Sequence, residues 1–147
     1  MSICIVSSCG GHLTEVRSLI NSYSKYKHFY VLNDYAILPM DMESNTFYIK
    51  HSERDLFFFY NLLEAFLICY RNKPKVILST GAGPAVPFAL VGKYFFNIKI
   101  VYIESITRIY NPSLTGRIMY KLSDDFYYQW EPLKQYFPDG KFFGSLL

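Results

Sequence analysis

Short apolar runs alternate with amphipathic stretches along almost the whole chain. The strand-like runs are rich in β-branched and aromatic residues and begin at Ser2, His28, Thr46, Lys75, Lys99, Asp125 and Lys141. Helix-like stretches fall between them, over residues 16–23, 54–71, 85–96 and 113–122. This alternation predicts an α/β fold with one parallel sheet covered on both faces. We expect a single doubly wound, Rossmann-like domain over residues 1–147.

Three unusual loops follow predicted strands, at residues 8–14, 81–84 and 104–113. Ligands of open parallel sheets bind in the crevice outside the carboxyl ends of the strands. Because all three loops lie at those ends, we expect them to converge on one site although they are far apart in sequence.

The first loop joins a strand to a helix through Gly10 and Gly11, with Ser8 before them. Paired glycines let the backbone approach a ligand closely, and a helix start directs free N–H groups at an anion. A tight turn with no ligand explains the glycines equally well. His12 is suited to orient a sugar hydroxyl, to contact a phosphate or to act as a base, although a structural or capping role is the commoner one.

The second loop has the sequence TGAGP, so small residues precede a proline that opens a helix. Thr80, Gly81 and Gly83 suit a phosphate or a sugar that lies against the backbone. Close packing of the strand on the helix is the alternative explanation.

The third loop begins with Glu104, an acidic residue at the end of an apolar strand. Such a residue needs a partner, and the hydroxyls of a ligand are one possibility. Pairing with Arg108 and capping of a loop amide are the alternatives. Ser105 and Arg108 add further polar groups to this loop.

The helix over residues 54–71 carries more apolar surface than one sheet face needs. At about 100° per residue, one sector collects four polar residues: Arg54, Asn61, Glu64 and Arg71. Phe57 and Ile68 lie within that polar sector, which makes them candidate contacts for a membrane or a partner. Packing between neighbouring helices is the alternative.

Composition adds two constraints. Aromatic residues make up 19% of the chain, more rings than a core of this size buries, so some should meet a partner, a ligand or a lipid surface. The net charge of +3 is spread along the chain without a basic stripe, which argues against nucleic acid as a partner.

The three cysteines show no metal or disulfide spacing and favour a reducing cytoplasm. No signal peptide is recognisable, and the longest apolar run, residues 56–70, is too short to span a bilayer. We therefore expect a cytoplasmic protein, peripheral at the inner face of the membrane if it contacts lipid.

Four motifs in a fixed order resemble one protein family: GGHLTE, STGAGPAVPFA, YIES…R…SLTGRIMYKLSDDFYYQW and YFPDGKFFGSL. The chain resembles the acceptor-side, membrane-recruiting subunit of two-part GT-B glycosyltransferases. Its eukaryotic relative serves the transferase that adds the second N-acetylglucosamine to dolichol diphosphate. Bacterial relatives act in capsule and exopolysaccharide synthesis. The pattern is more distantly similar to the N-terminal half of the transferase that makes lipid II.

The resemblance implies the N-terminal half of a GT-B enzyme whose donor-binding half is a separate chain that takes a UDP-sugar. It implies that His12 and Glu104 are the catalytic candidates. It also implies that Gly10, Gly11 and His12 face the polyprenyl-diphosphate-linked acceptor, with Gly81 and Gly83 beside them, and that Glu104 hydrogen-bonds it. Their places in the three loops add four further acceptor-binding candidates: Ser8, Thr80, Ser105 and Arg108. No metal and no cofactor are implied. The chain begins at its first strand, without the N-terminal anchor of the eukaryotic subunit, so surface aromatics or the partner would supply membrane contact.

The function expected is therefore that of a subunit of a heteromeric inverting glycosyltransferase in capsular or exopolysaccharide synthesis. Two alternatives remain open. The chain would act only as a scaffold that recruits a transferase to the membrane, or it would bind a nucleotide cofactor. The second alternative has Asp34 in the place of a ribose-binding acid, but the first loop lacks the G-x-G-x-x-G spacing.

Overall fold

A computed structural model describes residues 1–33, 42, 44–50 and 57–146, with Phe57 described by its backbone only. Within these residues seven strands form one sheet: β1 (Ser2–Ser7), β2 (Lys27–Asn33), β3 (Thr46–Ile49), β4 (Val76–Ser79), β5 (Lys99–Ile103), β6 (Asp125–Tyr128) and β7 (Lys141–Phe142). Their order is β3-β2-β1-β4-β5-β6-β7, and every neighbouring pair is parallel. The predicted parallel α/β sheet is confirmed.

Helices cover both faces of the sheet. They are α1 (Gly11–Ser18), α2 (Ile20–Tyr23), α3 (Phe57–Asn72), α4 (Ala85–Phe96) and α5 (Leu114–Leu122), followed by a 3₁₀ helix (Glu131–Gln135). Helices α1 and α2 pack on one face over Ile3 and Ile5 of β1. Helices α3, α4 and α5 pack on the other face, where Ile77 and Ile100 are fully buried. The domain is doubly wound, as predicted.

The structure departs from the predicted elements in two places. The helix expected over residues 16–23 is interrupted at Leu19, whose N–H bonds to the carbonyl of Val16 at 3.1 Å, an i→i−3 turn tighter than an α-helix. The 3₁₀ helix after β6 was not predicted. Within the described residues α3 begins at Phe57; Arg54 lies outside them.

Helix α3 packs on the core with a face that includes part of its polar sector. Asn61, Ala65 and Cys69 recur every four residues and are all 0% exposed, so this row of small side chains faces the core. Asn61, which falls in the polar sector of the helix, is therefore buried, and its amide has no hydrogen-bond partner among the described residues. Ile68 is half-buried against the core, which makes it a poor candidate for an outer contact.

An aromatic face results on the outer side of α3 and α4. Its exposed members are Phe59, Tyr60, Leu63, Phe66, Leu67, Tyr70, Tyr94 and Phe95. Phe66 joins the two helices, since its ring centroid lies 5.7 Å from that of Phe95. The surplus apolar surface expected of this helix is present, but on residues other than Phe57, whose side chain lies outside the described residues, and Ile68.

Candidate functional site

The loops after β1, β4 and β5 converge on one crevice, as expected. It has a larger lobe of about 620 Å³ and a smaller one of about 230 Å³. Both lobes are lined by residues from all three loops or the helix starts behind them: His12, Ala82, Arg108, Ser113 and Thr115. The parallel sheet causes this meeting, because it brings the carboxyl ends of its strands to one edge.

The second loop holds the side chain of His12 in place. His12 Nδ1 lies 3.0 Å from the carbonyl oxygen of Thr80, and the Thr80 hydroxyl donates to the carbonyl of His12 at 2.9 Å. A carbonyl only accepts, so Nδ1 carries the proton and Nε2 of the neutral ring keeps a lone pair. Thr80 is itself fully buried, so it positions His12 and does not face a ligand.

Gly81 makes room for the imidazole of His12. A Cβ on Gly81 would lie 2.7 Å from His12 Cε1, and the residue has a φ of +130°. Both observations require glycine here. The next residue, Ala82, has a φ of +76°, a left-handed conformation rare for a residue with a side chain. The loop is therefore built around the histidine ring.

The first loop leaves open space in front of α1. Gly10 precedes the helix with a φ of +97°, and no atom lies within 4 Å of a Cβ built on Gly10 or Gly11. Ser8 lines the larger lobe of the crevice, and so does Gly83 from the second loop. The N–H groups of the first turn of α1 thus have room for a ligand beside them.

Arg108 is the cation of the crevice. It is exposed, lines both lobes, and forms no ion pair with any described residue. No Asp or Glu is among the described residues that line either lobe. A site with a guanidinium, an imidazole and hydroxyls but no carboxylate favours an anionic ligand such as a phosphate.

Glu104 does not line the crevice. It is 1% exposed, and its carboxylate accepts hydrogen bonds from Ser113 Oγ at 2.9 Å, from Ser113 N at 3.2 Å and from Ser105 N at 3.0 Å. Ser113 Oγ in turn caps α5 by accepting from Gly116 N at 2.8 Å. A side chain on Gly116 would overlap Glu104 Oε2. In this structure Glu104 thus takes the loop-capping arrangement, one of the alternatives left open by the sequence, and does not reach the crevice.

Glu15 is a second buried carboxylate, which the sequence analysis did not single out. It is 2% exposed and accepts from Ser105 Oγ at 2.8 Å, from Ile106 N at 3.3 Å and from Gln129 Nε2 at 3.4 Å. Ser105 thus bridges Glu15 and Glu104, and it also lines the smaller lobe of the crevice. One feature of the sequence could have indicated this burial: Glu15 belongs to the GGHLTE motif and lies among helix residues that face the core.

Burial raises the pKa of Glu15, and the hydrogen bond from Ser105 and the nearby His12 offset this only in part. Among the described residues, no cluster of three or more His, Cys, Asp or Glu side chains is arranged to hold a metal ion. None of the helices in the described part of the chain has the length and apolar character needed to cross a membrane. Asp34 lies outside the described residues.

Solved structures with the same fold define the class of this domain. UDP-GlcNAc 2-epimerase of Methanocaldococcus jannaschii, solved with UDP-GlcNAc and UDP, superposes with a TM-score of 0.77 at 13% identity, over 98% of this chain and 46% of that one. MurG of Acinetobacter baumannii gives 0.72 at 11% identity, over 87% and 41%. This chain spans less than half the length of either. It has the Rossmann-like fold equivalent to one half of a GT-B glycosyltransferase.

The sequence comparisons then give the family. The family model described as "Oligosaccharide biosynthesis protein Alg14 like" matches residues 51–146, and the chain belongs to this family. It is 28% identical to the human UDP-N-acetylglucosamine transferase subunit ALG14 over 183 residues, covering 100% of this chain and 83% of that protein. It is 51% identical to the Saccharomyces cerevisiae subunit over 49 residues, 33% of this chain and 21% of that protein.

Replacing Glu15 tests whether its burial makes the stability of the folded chain depend on pH. Its pKa is raised in the folded chain, so above the ordinary value of 4.5 the unfolded chain releases the proton first. The free energy of unfolding should then fall as the pH rises toward neutrality. In Glu15→Gln this fall should be smaller, which urea denaturation between about pH 4 and pH 7 measures. The exposed Glu131→Gln should follow the wild type, and equal pH slopes for all three proteins would refute this view of Glu15.

Proposed function

We propose that this chain is the acceptor-binding subunit of a heteromeric, inverting glycosyltransferase. The acceptor is a sugar linked to a lipid diphosphate, and a separate partner subunit binds the UDP-sugar donor. The observation that carries the proposal is the crevice at the carboxyl edge of the sheet. It offers Arg108, His12 and the start of α1, and no described carboxylate lines it.

The comparisons support the donor and the partner. Relatives over the whole of this chain are called UDP-N-acetylglucosamine transferase subunits, and a subunit implies a second chain. A UDP-GlcNAc 2-epimerase with this fold was solved with UDP-GlcNAc and UDP. We therefore take UDP-N-acetylglucosamine as the first donor to test.

His12 is the residue that we assign to proton transfer. With Nδ1 protonated against Thr80, the Nε2 lone pair is available to take the proton of the acceptor hydroxyl. That oxygen forms a bond to the anomeric carbon of the donor while the bond from this carbon to UDP breaks, and the electron pair leaves on UDP. Attack from the face opposite UDP inverts the configuration. Arg108 and the first turn of α1 hold the acceptor's diphosphate.

We assign this reaction to the assembly of an oligosaccharide on a lipid carrier, as in capsular or exopolysaccharide synthesis. The family description, an oligosaccharide biosynthesis protein, supports the broader part of this statement. The aromatic face of α3 and α4 supports a peripheral position at the cytoplasmic face of a membrane. Its rings are large, exposed and amphipathic at Tyr60, Tyr70 and Tyr94, as at membrane interfaces.

The role of His12 distinguishes a catalytic subunit from a scaffold that only recruits its partner. In the complex with the donor-binding subunit, His12→Ala should lower the turnover number by roughly 10²- to 10⁴-fold, the usual contribution of a positioned base. His28→Ala is a matched control, because His28 Nδ1 also bonds to a carbonyl, that of Tyr26 at 2.8 Å, at the start of β2. Unchanged turnover in His12→Ala, with partner capture intact, would leave only the scaffold.

The aromatic face should govern binding to vesicles. Phe59 and Phe95 are 68% and 70% exposed, and replacing both by Gln removes apolar surface without opening the core. We expect Phe59→Gln/Phe95→Gln to reduce co-flotation with anionic vesicles at least about tenfold. Phe143→Gln removes an equally exposed ring (79%) near the C-terminal end and should leave flotation unchanged. Equal loss from both variants would contradict a membrane role for this face.

A further inference from the structure

A second cavity, of about 600 Å³, lies between α4 and α5 on the same side of the sheet as the aromatic face. We call it the α4–α5 groove; it is lined by Val86, Leu90, Arg117, Ile118, Tyr120, Lys121, Leu122, Tyr136 and Phe137. Most of these side chains are aliphatic or aromatic. A concave, largely apolar cavity of this size is typical of a small-molecule site.

The groove is continuous with the crevice. Val86, at the start of α4, and Ile118, on α5, line both the groove and the larger lobe. A molecule bound by its polar end near His12 and Arg108 can therefore extend past these two side chains into apolar surroundings.

The tyrosines of the groove contribute rings and not free hydroxyls. The Tyr120 hydroxyl donates to Asp139 Oδ2 at 3.2 Å and accepts from Asp139 N at 2.9 Å. The Tyr136 hydroxyl donates to Asn111 Oδ1 at 3.2 Å. With these hydroxyls engaged elsewhere, the two tyrosines present their rings to the groove, which suits a hydrocarbon.

The charges at the groove are positive. Arg117 lies over the ring of Tyr136, 5.3 Å from its centroid, and Lys121 is exposed one turn further along α5. No Asp or Glu is among the residues that line the groove. An anionic amphiphile matches this arrangement, with its phosphates toward Arg108 in the crevice and its chain between the helices.

We propose that the α4–α5 groove binds the first units of the hydrocarbon chain of an isoprenoid diphosphate whose phosphates occupy the crevice. The proposal rests on the function proposed above and adds the place of the lipid. The chain would then recognise the hydrocarbon of the acceptor as well as its diphosphate. Part of the acceptor's affinity then comes from Leu90 and Ile118.

Calorimetric titration of the full chain tests this with three probes that share a diphosphate: inorganic diphosphate, dimethylallyl diphosphate and farnesyl diphosphate, each below its aggregation concentration. The wild type should bind the farnesyl compound at least about tenfold more tightly than the dimethylallyl one, since burial of two methylene groups suffices for that ratio. Leu90→Gln and Ile118→Gln should lose this preference, and Leu90→Gln, which lies outside the crevice, should keep its affinity for inorganic diphosphate. Both positions are partly exposed, so the fold should tolerate the change.

Leu63→Gln is the matched control. Leu63 is 55% exposed on α3 and lines neither the groove nor the crevice, so this variant should keep the wild-type preference for the longer chain. Equal loss in Leu63→Gln would place the hydrocarbon on the aromatic face and overturn the proposal. Equal affinity of the wild type for all three probes would also overturn it, and would favour a protein partner as the occupant of the groove.

The outcomes distinguish failure of the groove proposal from failure of the proposed diphosphate site in the crevice. If all probes bind equally and Arg108→Ala weakens them together, the groove proposal fails and the crevice remains a diphosphate site. If farnesyl diphosphate binds and depends on Leu90 and Ile118 while inorganic diphosphate does not bind, the groove stands and the proposed anion site fails.

Discussion

The buried carboxylate of Glu104 is the contact on which the geometry of the site depends. It ties the end of β5 to the start of α5 through Ser113, and Gly116 brings the helix close enough for this to happen. Ser105 extends the connection to Glu15 on α1. Both carboxyl groups are held by several N–H and O–H donors. Loss of a donor would leave a buried oxygen short of a hydrogen bond, so the junction is held in one arrangement.

This junction and the second loop bring His12 and Arg108, which are far apart in the sequence, into one crevice. Thr80 and Gly81 fix the ring of His12, while the Glu104 junction fixes the ends of the loop that carries Arg108. Neither crevice residue depends on the other for its position. A polar site beside a largely apolar groove is consistent with the amphiphilic acceptor that we propose.

The elements set by local pattern could be predicted from the sequence; those set by distant contacts could not. Helix α4 was predicted at its observed limits, and the parallel order explains why the three loops meet. The role of Glu104 was left open because its donors on Ser113 stand nine residues away. The role of Glu15 was missed because Ser105 is separated from it by 90 residues. The buried face of helix α3 could not be predicted, because a row of small side chains, and not the position of its polar sector, decides which face packs on the core.

The central claim is that this chain supplies the acceptor half of a transferase whose donor half is another subunit. The most direct test measures transfer of labelled N-acetylglucosamine from UDP to a lipid-diphosphate-linked sugar. It compares this chain alone, the co-purified partner alone and the two together. Our account predicts transfer only by the mixture, with this chain retaining the lipid acceptor in the absence of donor. Transfer at full rate by this chain alone would contradict it.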